Sequence, residues 1–239
     1  MRASVLLAAF WTLFSSVTCT LTPFITPCNS WDRECLKQST QRALPVIAAG
    51  VTSLGMQPLD PMTLEVVSAT QSGLQMEFRN TIVRGLRNCE VINIERYTQS
   101  TRLELQCSVT LIGDYKLGGH LLIMPIEGQG RYKINIRDIV VQIDFNFNKR
   151  EANGQRYWSL DTYRYAGDVR TGVHFQFQNL FGGNKLFADN IHEYANNNWR
   201  DIFNEMAPPI VDVIVSKTVN EIRKLFDGVP ISDLSLNES

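Results

Sequence analysis

Between about Leu64 and Asn179 the apolar residues recur at every second position, and this long stretch of period two constrains the fold more than any other feature. Successive strand side chains point to opposite faces, so the alternation describes strands with one face buried and one in water. The clearest run sets Ile139, Val141, Ile143, Phe145 and Phe147 against Gln142, Asp144, Asn146 and Asn148. Others repeat it: Leu103, Leu105, Val109 and Leu111; Tyr132, Ile134 and Ile136; and Val173, Phe175 and Phe177 against His174, Gln176 and Gln178. Gly113-Asp114, Gly128-Gln129-Gly130 and Asn153-Gly154 fall between runs and are read as turns, which predicts an antiparallel meander with one oily face.

That face needs a cover, and the helical period at the two ends of the chain supplies one. From Glu34 to about Val51 the positions Leu36, Ala43, Leu44, Ile47, Ala48 and Val51 predict a helix, with Pro45 predicting a break or kink. The two prolines of Gly55-Met56-Gln57-Pro58-Leu59-Asp60-Pro61 then favour an extended turn. From about Asn184 the period returns through Leu186, Phe187, Ile191, Tyr194, Ile202, Phe203 and Met206. After Pro208-Pro209 it resumes through Ile210, Val213, Ile214, Val219, Ile222, Leu225 and Phe226 to Gly228. Because the prolines can begin a helix but not sit unbroken inside one, this predicts one very long helix with an irregularity, or two nearly collinear ones. Some forty helical residues reach about 60 Å at about 1.5 Å each. The economical fold is α+β, a strongly curved antiparallel sheet rolled around the C-terminal helix, enclosing an elongated apolar tunnel.

Residues 1–20 carry one charge, Arg2, then an apolar core from Ala3 to Phe14 and a small-residue exit through Ser15-Ser16-Val17-Thr18-Cys19-Thr20. This is the pattern of a secretory signal peptide, too short to span a bilayer. No linker composition divides residues 21–239, which are read as one domain. The chain has 23 basic and 24 acidic residues, and removing Arg2 with the signal leaves 22 against 24. That balance argues against a nucleic-acid partner and offers no polybasic membrane patch, so no stable membrane insertion is expected. Secretion would leave Cys28, Cys35, Cys89 and Cys107 where disulfides persist, and four cysteines allow three pairings. Cys28 and Cys35 would close a small loop. Cys89 and Cys107 flank the turn Thr98-Gln99-Ser100-Thr101 almost symmetrically, but strand parity puts Cys107 with Leu103, Leu105 and Val109 while Cys89 goes with Val91, Asn93 and Glu95. Either a bulge reconciles them as a pair or they are buried free thiols.

Catalytic chemistry finds little support. His120 follows a Gly-Gly turn, His174 lies on a wet strand face, and His192 sits in a helix without the second histidine of a zinc-binding helix. There is no Gly-x-Ser-x-Gly elbow, and Gly128-Gln129-Gly130 is too short to cradle a phosphate. No enzyme activity, metal or cofactor is therefore expected. The candidate tunnel lining is the set of inward residues Tyr132, Ile143, Phe145, Phe147, Phe175 and Phe177, with plain packing against the C-terminal helix as the competing role. Trp31, inside the Cys28–Cys35 interval, either gates a tunnel mouth or caps a small cluster, whereas Trp158 and Trp199 are read as structural.

Several segments taken together resemble the insect juvenile hormone-binding and takeout proteins over essentially the whole of residues 21–239. They are Pro27-Cys28 with Glu34-Cys35-Leu36; Met56-Gln57-Pro58-Leu59-Asp60-Pro61; and Gly113-Asp114-Tyr115-Lys116-Leu117-Gly118-Gly119-His120 leading to Leu122 through Gly130. Asn179-Leu180-Phe181-Gly182-Gly183-Asn184-Lys185, Asp189-Asn190, Asn198-Trp199 and Val229-Pro230 complete the pattern. The resemblance implies a lipid-binding super-roll of the TULIP type, related in fold to the bactericidal and cholesteryl-ester-transfer proteins, with a Cys28–Cys35 disulfide near the tunnel mouth. It implies a monomeric carrier of a small hydrophobic ligand, secreted into a haemolymph-like fluid, with outputs in circadian, feeding or chemosensory physiology. The alternative is an extracellular signalling protein with a structural lumen, whose partner is a cell-surface receptor. Two departures bear on the cargo. This chain has no cysteine after 107, which places it nearer the takeout branch. Where hormone carriers offer a Tyr hydroxyl to the epoxide, the strand Gln142–Asn148 has Ile143, Phe145 and Phe147, so juvenile hormone held in that mode is not expected.

Overall fold

One strand, β5, runs unbroken from Met124 to Ala152, and 29 residues at about 3.3 Å each would stretch roughly 95 Å if straight. It must bend, and the means of bending organise the molecule. In the computed structural model, which describes residues 22–238, the antiparallel sheet has the order β1 (Met62–Gln71), β2 (Leu74–Arg84), β4 (Ser100–Leu121), β5 and β6 (Gln155–Phe177). A sixth strand, β3 (Glu90–Arg96), pairs with the first half of β4, and the sheet does not close. Residues 1–20, read above as a signal peptide, lie outside the described residues.

Bulges supply the curvature, since an extra residue kinks a strand and strengthens its twist. The register between β4 and β5 shifts between Cys107–Val109 and Ile136–Ile139, and Asp138, at φ 51°, is the residue that bulges. Its backbone N–H donates to Ser108 Oγ at 3.1 Å, while its carboxylate accepts from Gln106 Nε2 at 3.2 Å and from Thr171 Oγ1. These bonds to β4 and β6 hold its carboxyl below the usual carboxylate range, the Thr171 bond contributing most. Further shifts fall between Arg79 and Ile82 in β2, between Val91 and Asn93 in β3, and at Asn146–Phe147 opposite Leu160–Thr162.

Two expected turns are absent. Gly113-Asp114 and Gly128-Gln129-Gly130 lie inside β4 and β5. A Cβ on Gly113 would meet the Arg79 carbonyl at 2.7 Å, and one on Gly128 would meet the Tyr115 hydroxyl at 2.8 Å and Leu180 Cα at 3.0 Å. These glycines mark close approach of neighbouring chain, not reversal. The β5–β6 reversal is at Asn153-Gly154, as expected, with positive φ at both residues, and Ser72-Gly73 forms a similar turn between β1 and β2.

Helix α1 (Arg33–Ala49) starts under an Asp32 cap that accepts from Cys35 N–H at 3.0 Å, and runs through Pro45 without ending there. Packing overrides the expected break: Ala43 and Ala48 are buried, and Leu44 and Ile47 contact the core on both sides of it. Gln41 fastens α1 to the sheet, donating to the Cys89 carbonyl at 3.1 Å and accepting from Val91 N–H at 2.7 Å. The C-terminal helical region has three segments instead of one or two: α2 (Lys185–Asn197), α3 (Trp199–Met206) and α4 (Pro208–Gly228). Asn198 and Ala207 interrupt it, yet hydrogen bonds from Asn198 N to Tyr194 O and from Val211 N to Ala207 O carry the helical pattern across both junctions. The first junction was not signalled by any proline; the second falls where Pro208 and Pro209 restart the helix.

Both disulfides are formed, Cys28–Cys35 and Cys89–Cys107. The second is allowed by the β3 bulge. Val91 pairs with Leu105 but Asn93 pairs with Glu104, leaving Ile92 as the extra residue. Cys89 and Val91 therefore share the buried face with Leu105 and Cys107, and beyond the bulge Ile94 and Arg96 take over that face opposite Leu103 and Thr101.

Candidate functional site

The core falls into two clusters. One lies under β1, β2 and the middle of the sheet, against α2, α3 and the start of α4. The other lies where α1, β3, the β5–β6 hairpin and the end of α4 meet. Each contains a cavity. The larger, about 180 Å³, is walled by Leu36, Ala43 and Ile47 of α1, by Ile94, Arg96, Leu103, Phe145, Phe147 and Trp158 of the sheet, and by Ile222, Leu225 and Phe226 of α4. The second, about 90 Å³, lies between Phe175, Ile134, Ile136 and Val109 of the sheet and Phe203, Met206, Ile210 and Ile214 of the helices. Leu44 and Leu105 pack against both clusters and line neither cavity, so they stand between the two.

A strap and a tail cover the larger cavity. The strap is the segment Ile25–Ser30, tied to α1 by the disulfide and by Ser39, whose hydroxyl donates to the Thr26 carbonyl at 2.8 Å and accepts from Thr26 N–H at 2.9 Å. The tail is the segment Leu234–Glu238. Leu236 N–H donates to the Cys28 carbonyl at 3.1 Å, and Ser30 N–H donates to Asn237 Oδ1 at 2.8 Å. Trp31 is 71% exposed beside this seam and lines neither cavity. Solvent exposure, not insertion, is its observed state.

The other sequence-selected residues divide between the two regions. Phe145 and Phe147 line the larger cavity and Phe175 the smaller, while Ile143 is buried in the second cluster without facing either void. Tyr132 and Phe177 also line neither. They belong to a packed aromatic group in which Phe78 and Tyr132 centroids are 5.0 Å apart and Tyr115 and Phe177 centroids 4.9 Å. Tyr132 shares a 2.7 Å hydrogen bond with the fully buried Thr81, and Tyr115 donates to the Gln178 carbonyl at 2.7 Å. Burial pushes the Tyr115 hydroxyl up to about 12 and raises that of Tyr132 as well. Both are neutral, hydrogen-bonded core residues.

Among the larger cavity's residues that the sequence did not select are Arg96, Trp158 and Glu238, which bring it polar atoms. The Arg96 side chain is only 6% exposed, with its guanidinium carbon 4.2 Å from the centre of the Trp158 ring and 5.1 Å from that of Phe147. Its Nε donates to Glu238 at 3.3 Å and its Nη1 to Thr101 Oγ1 at 2.8 Å. Glu238 also pairs with Lys149 at 3.1 Å. Burial lowers the Arg96 pKa and Glu238 opposes that; an arginine nevertheless remains charged in such surroundings. For Glu238 burial disfavours the anion, but Arg96 and Lys149 outweigh it and hold the carboxyl below its ordinary range. Only knowledge of the Ile92 bulge would have turned Arg96 inward, because unbroken alternation from Cys89 points it to solvent.

Chain-wide likeness agrees with this architecture. The structure of takeout 1 from Epiphyas postvittana superposes with a TM-score of 0.86 at 26% identity, covering 88% of this chain and 99% of that one. The circadian clock-controlled protein daywake of Drosophila melanogaster is 21% identical over 221 residues, 86% of this chain and 85% of its own length. A juvenile hormone-binding protein from Manduca sexta is 29% identical over 93 residues, 37% of this chain and 41% of its own. The family model for haemolymph juvenile hormone binding protein matches residues 5–236, and the chain belongs to that family.

Proposed function

We propose that this protein is a secreted, monomeric, non-enzymatic carrier that encloses a small hydrophobic ligand between the sheet and the α1 and α4 helices. The observation that carries the reading is the larger cavity: a void walled almost wholly by hydrocarbon, covered by a strap and a tail in place of sheet. Its volume of about 180 Å³ is close to the roughly 150 Å³ of an engineered apolar cavity that takes up benzene. A terpenoid or fatty chain of about fifteen carbons needs more room, which Leu44 and Leu105 would provide by changing rotamer and joining the second cavity. Complete burial of such a chain would gain about 12 kcal/mol at about 0.8 per methylene. Association costs of roughly 4 to 15 kcal/mol oppose this. Affinity then depends on how well the lumen is preformed, with Phe145, Phe147 and Phe175 as contact residues and the strap-to-tail seam as the entrance. Residues 1–20 act as the signal that delivers residues 21–239 to an extracellular, haemolymph-like fluid. The likeness to a clock-controlled protein supports a rhythmic physiological setting.

A second reading is an extracellular interaction protein that engages a cell-surface receptor. It is favoured by the apolar hollow where Met124, Pro125, Phe181 and Phe187 meet, next in the chain to the 87% exposed Ile123 and the 70% exposed Leu186. Native mass spectrometry of the protein purified from its own tissue separates the two. A stoichiometric endogenous lipid, released on denaturation and replaceable by a fluorescent apolar probe, is the expected result. A protein isolated empty that takes up no apolar probe would overturn the carrier reading.

A further inference from the structure

A lumen walled by hydrocarbon holds any oily chain without preference, so selectivity has to come from polar atoms that face it. Among the described residues only three side-chain nitrogen or oxygen atoms are buried without a hydrogen-bond partner, and two of them, Arg96 Nη2 and Trp158 Nε1, belong to side chains lining the larger cavity. The third, on Glu205, is in α3 and lines neither cavity. Buried donors without partners are costly, on the order of 1–3 kcal/mol each and more when charged, so their survival in a core needs a reason. Both side chains are at least nine-tenths buried, Trp158 at 7% exposed. The Arg96 guanidinium carbon lies 4.2 Å from the centre of the Trp158 ring, so the two unpartnered donors belong to one stacked pair in the cavity wall.

Both orphans are donors, so the group that completes them is an acceptor. Its charge follows from the neighbours. Arg96 and Lys149 bring two positive charges, and Glu238 answers with one negative charge that already takes Arg96 Nε and Lys149 Nζ. Among the described side chains of this group the positive charges exceed the negative by one, Lys149 standing partly exposed outside the cavity wall, and Thr101 accepts one of the two Nη1 N–H bonds. Resting on the carrier reading, we infer that the natural cargo is an amphipath with a carboxylate head. The carboxylate accepts from Arg96 Nη2 and Trp158 Nε1, and its apolar tail runs along Phe145, Phe147, Leu103 and Ile47 toward the interior. The head then lies beneath the tail segment Leu234–Glu238, and the chain end points toward Leu44 and Leu105. A neutral ester of the same chain fills the same space but leaves the positive charge unmatched.

The test compares dodecanoic acid, methyl dodecanoate and dodecanol by calorimetric titration of the delipidated, disulfide-bonded protein. Wild type is expected to bind the acid about tenfold or more tighter than the ester, the scale of a charge-assisted hydrogen bond in a buried site. Arg96→Met keeps the apolar stem and is expected to bring the acid-to-ester affinity ratio to within about twofold of one. Trp158→Phe removes only the N–H and is expected to weaken the acid several-fold and the ester hardly at all. It carries the comparison alone if Arg96→Met fails to fold. Equal binding of acid and ester by wild type, or equal loss of both in the variants, overturns the carboxylate assignment and leaves the carrier standing. Failure of all three amphipaths to bind would overturn the carrier itself.

Discussion

Two groups of inward aromatics occupy the two regions of this sheet, and they do opposite things with their polar atoms. Around Phe78, Tyr115, Tyr132 and Phe177 both hydroxyls are bonded, to Gln178 and Thr81, and the rings pack without facing the larger void. Around Phe145, Phe147, Trp158 and Phe226 the rings border that void, and the indole N–H and one guanidinium nitrogen face no partner. Residue type and strand parity are alike in the two places. What distinguishes the packed core from the proposed binding site is whether the polar atoms are satisfied, because a satisfied buried group stabilises the fold whereas an unsatisfied one gains a partner only from what comes to it.

The largest break in this contrast should come from the disulfides. Cys89–Cys107 lies in the first cluster and closes a span of 18 residues, whereas Cys28–Cys35 closes 7 at the cavity seam. Replacing both cysteines by serine should lower stability by about 3 kcal/mol for the long loop and about 2 kcal/mol for the short one, on chain entropy alone. Release of bound probe should accelerate only when the short one is removed. Denaturant titration and stopped-flow release check the two halves of that statement, and equal release rates in both variants would contradict the assignment of the seam as the entrance.

A sharper comparison substitutes a hydroxyl. Tyr132→Phe leaves the fully buried Thr81 hydroxyl without its partner and should cost about 1–3 kcal/mol of stability with no change in ligand affinity. Trp158→Phe removes an atom with no protein partner, so its stability should move far less. Equal losses of stability would mean that the two aromatic groups are both plain core.

The smallest effect is one of pH. His192 of α2 accepts from Phe177 N–H at 2.9 Å, joining the helix to β6 through a neutral ring nitrogen. Burial, aided by His174 and opposed by Asp189, holds its pKa below the ordinary 6.5. The unfolded chain therefore takes up this proton first, so the stability contribution is complete above pH 6.5 and is lost as pH falls toward the folded value. His192 is only half-buried, and solvent should keep the change in melting temperature between pH 7.5 and 5.5 to about 1–2 °C. His192→Asn should flatten that difference, while ligand affinity at the far cavity stays constant.

Much of this was legible from residue order. The alternation of β4 through β6, the helical ends, the Cys28–Cys35 pair and the family resemblance all follow from patterns spaced along the chain. Even the bulge at Asp138 leaves a trace, because the inward apolar positions run Tyr132, Ile134, Ile136 and then change phase to Ile139, Val141, Ile143. What the chain did not disclose is how each phase change is used. A glycine between two apolar runs reads as a turn, yet Gly113 and Gly128 sit in unbroken strands because a neighbouring backbone passes too close for a side chain. Alternation from Cys89 sends Arg96 outward. One extra residue at Ile92 reverses the faces, pairs Cys89 with Cys107, and turns a guanidinium into the lumen. Period and composition are local properties, determined by the sequence alone. Which face a strand presents after a bulge depends on the partner strand that absorbs the extra residue, and only the assembled sheet decides that.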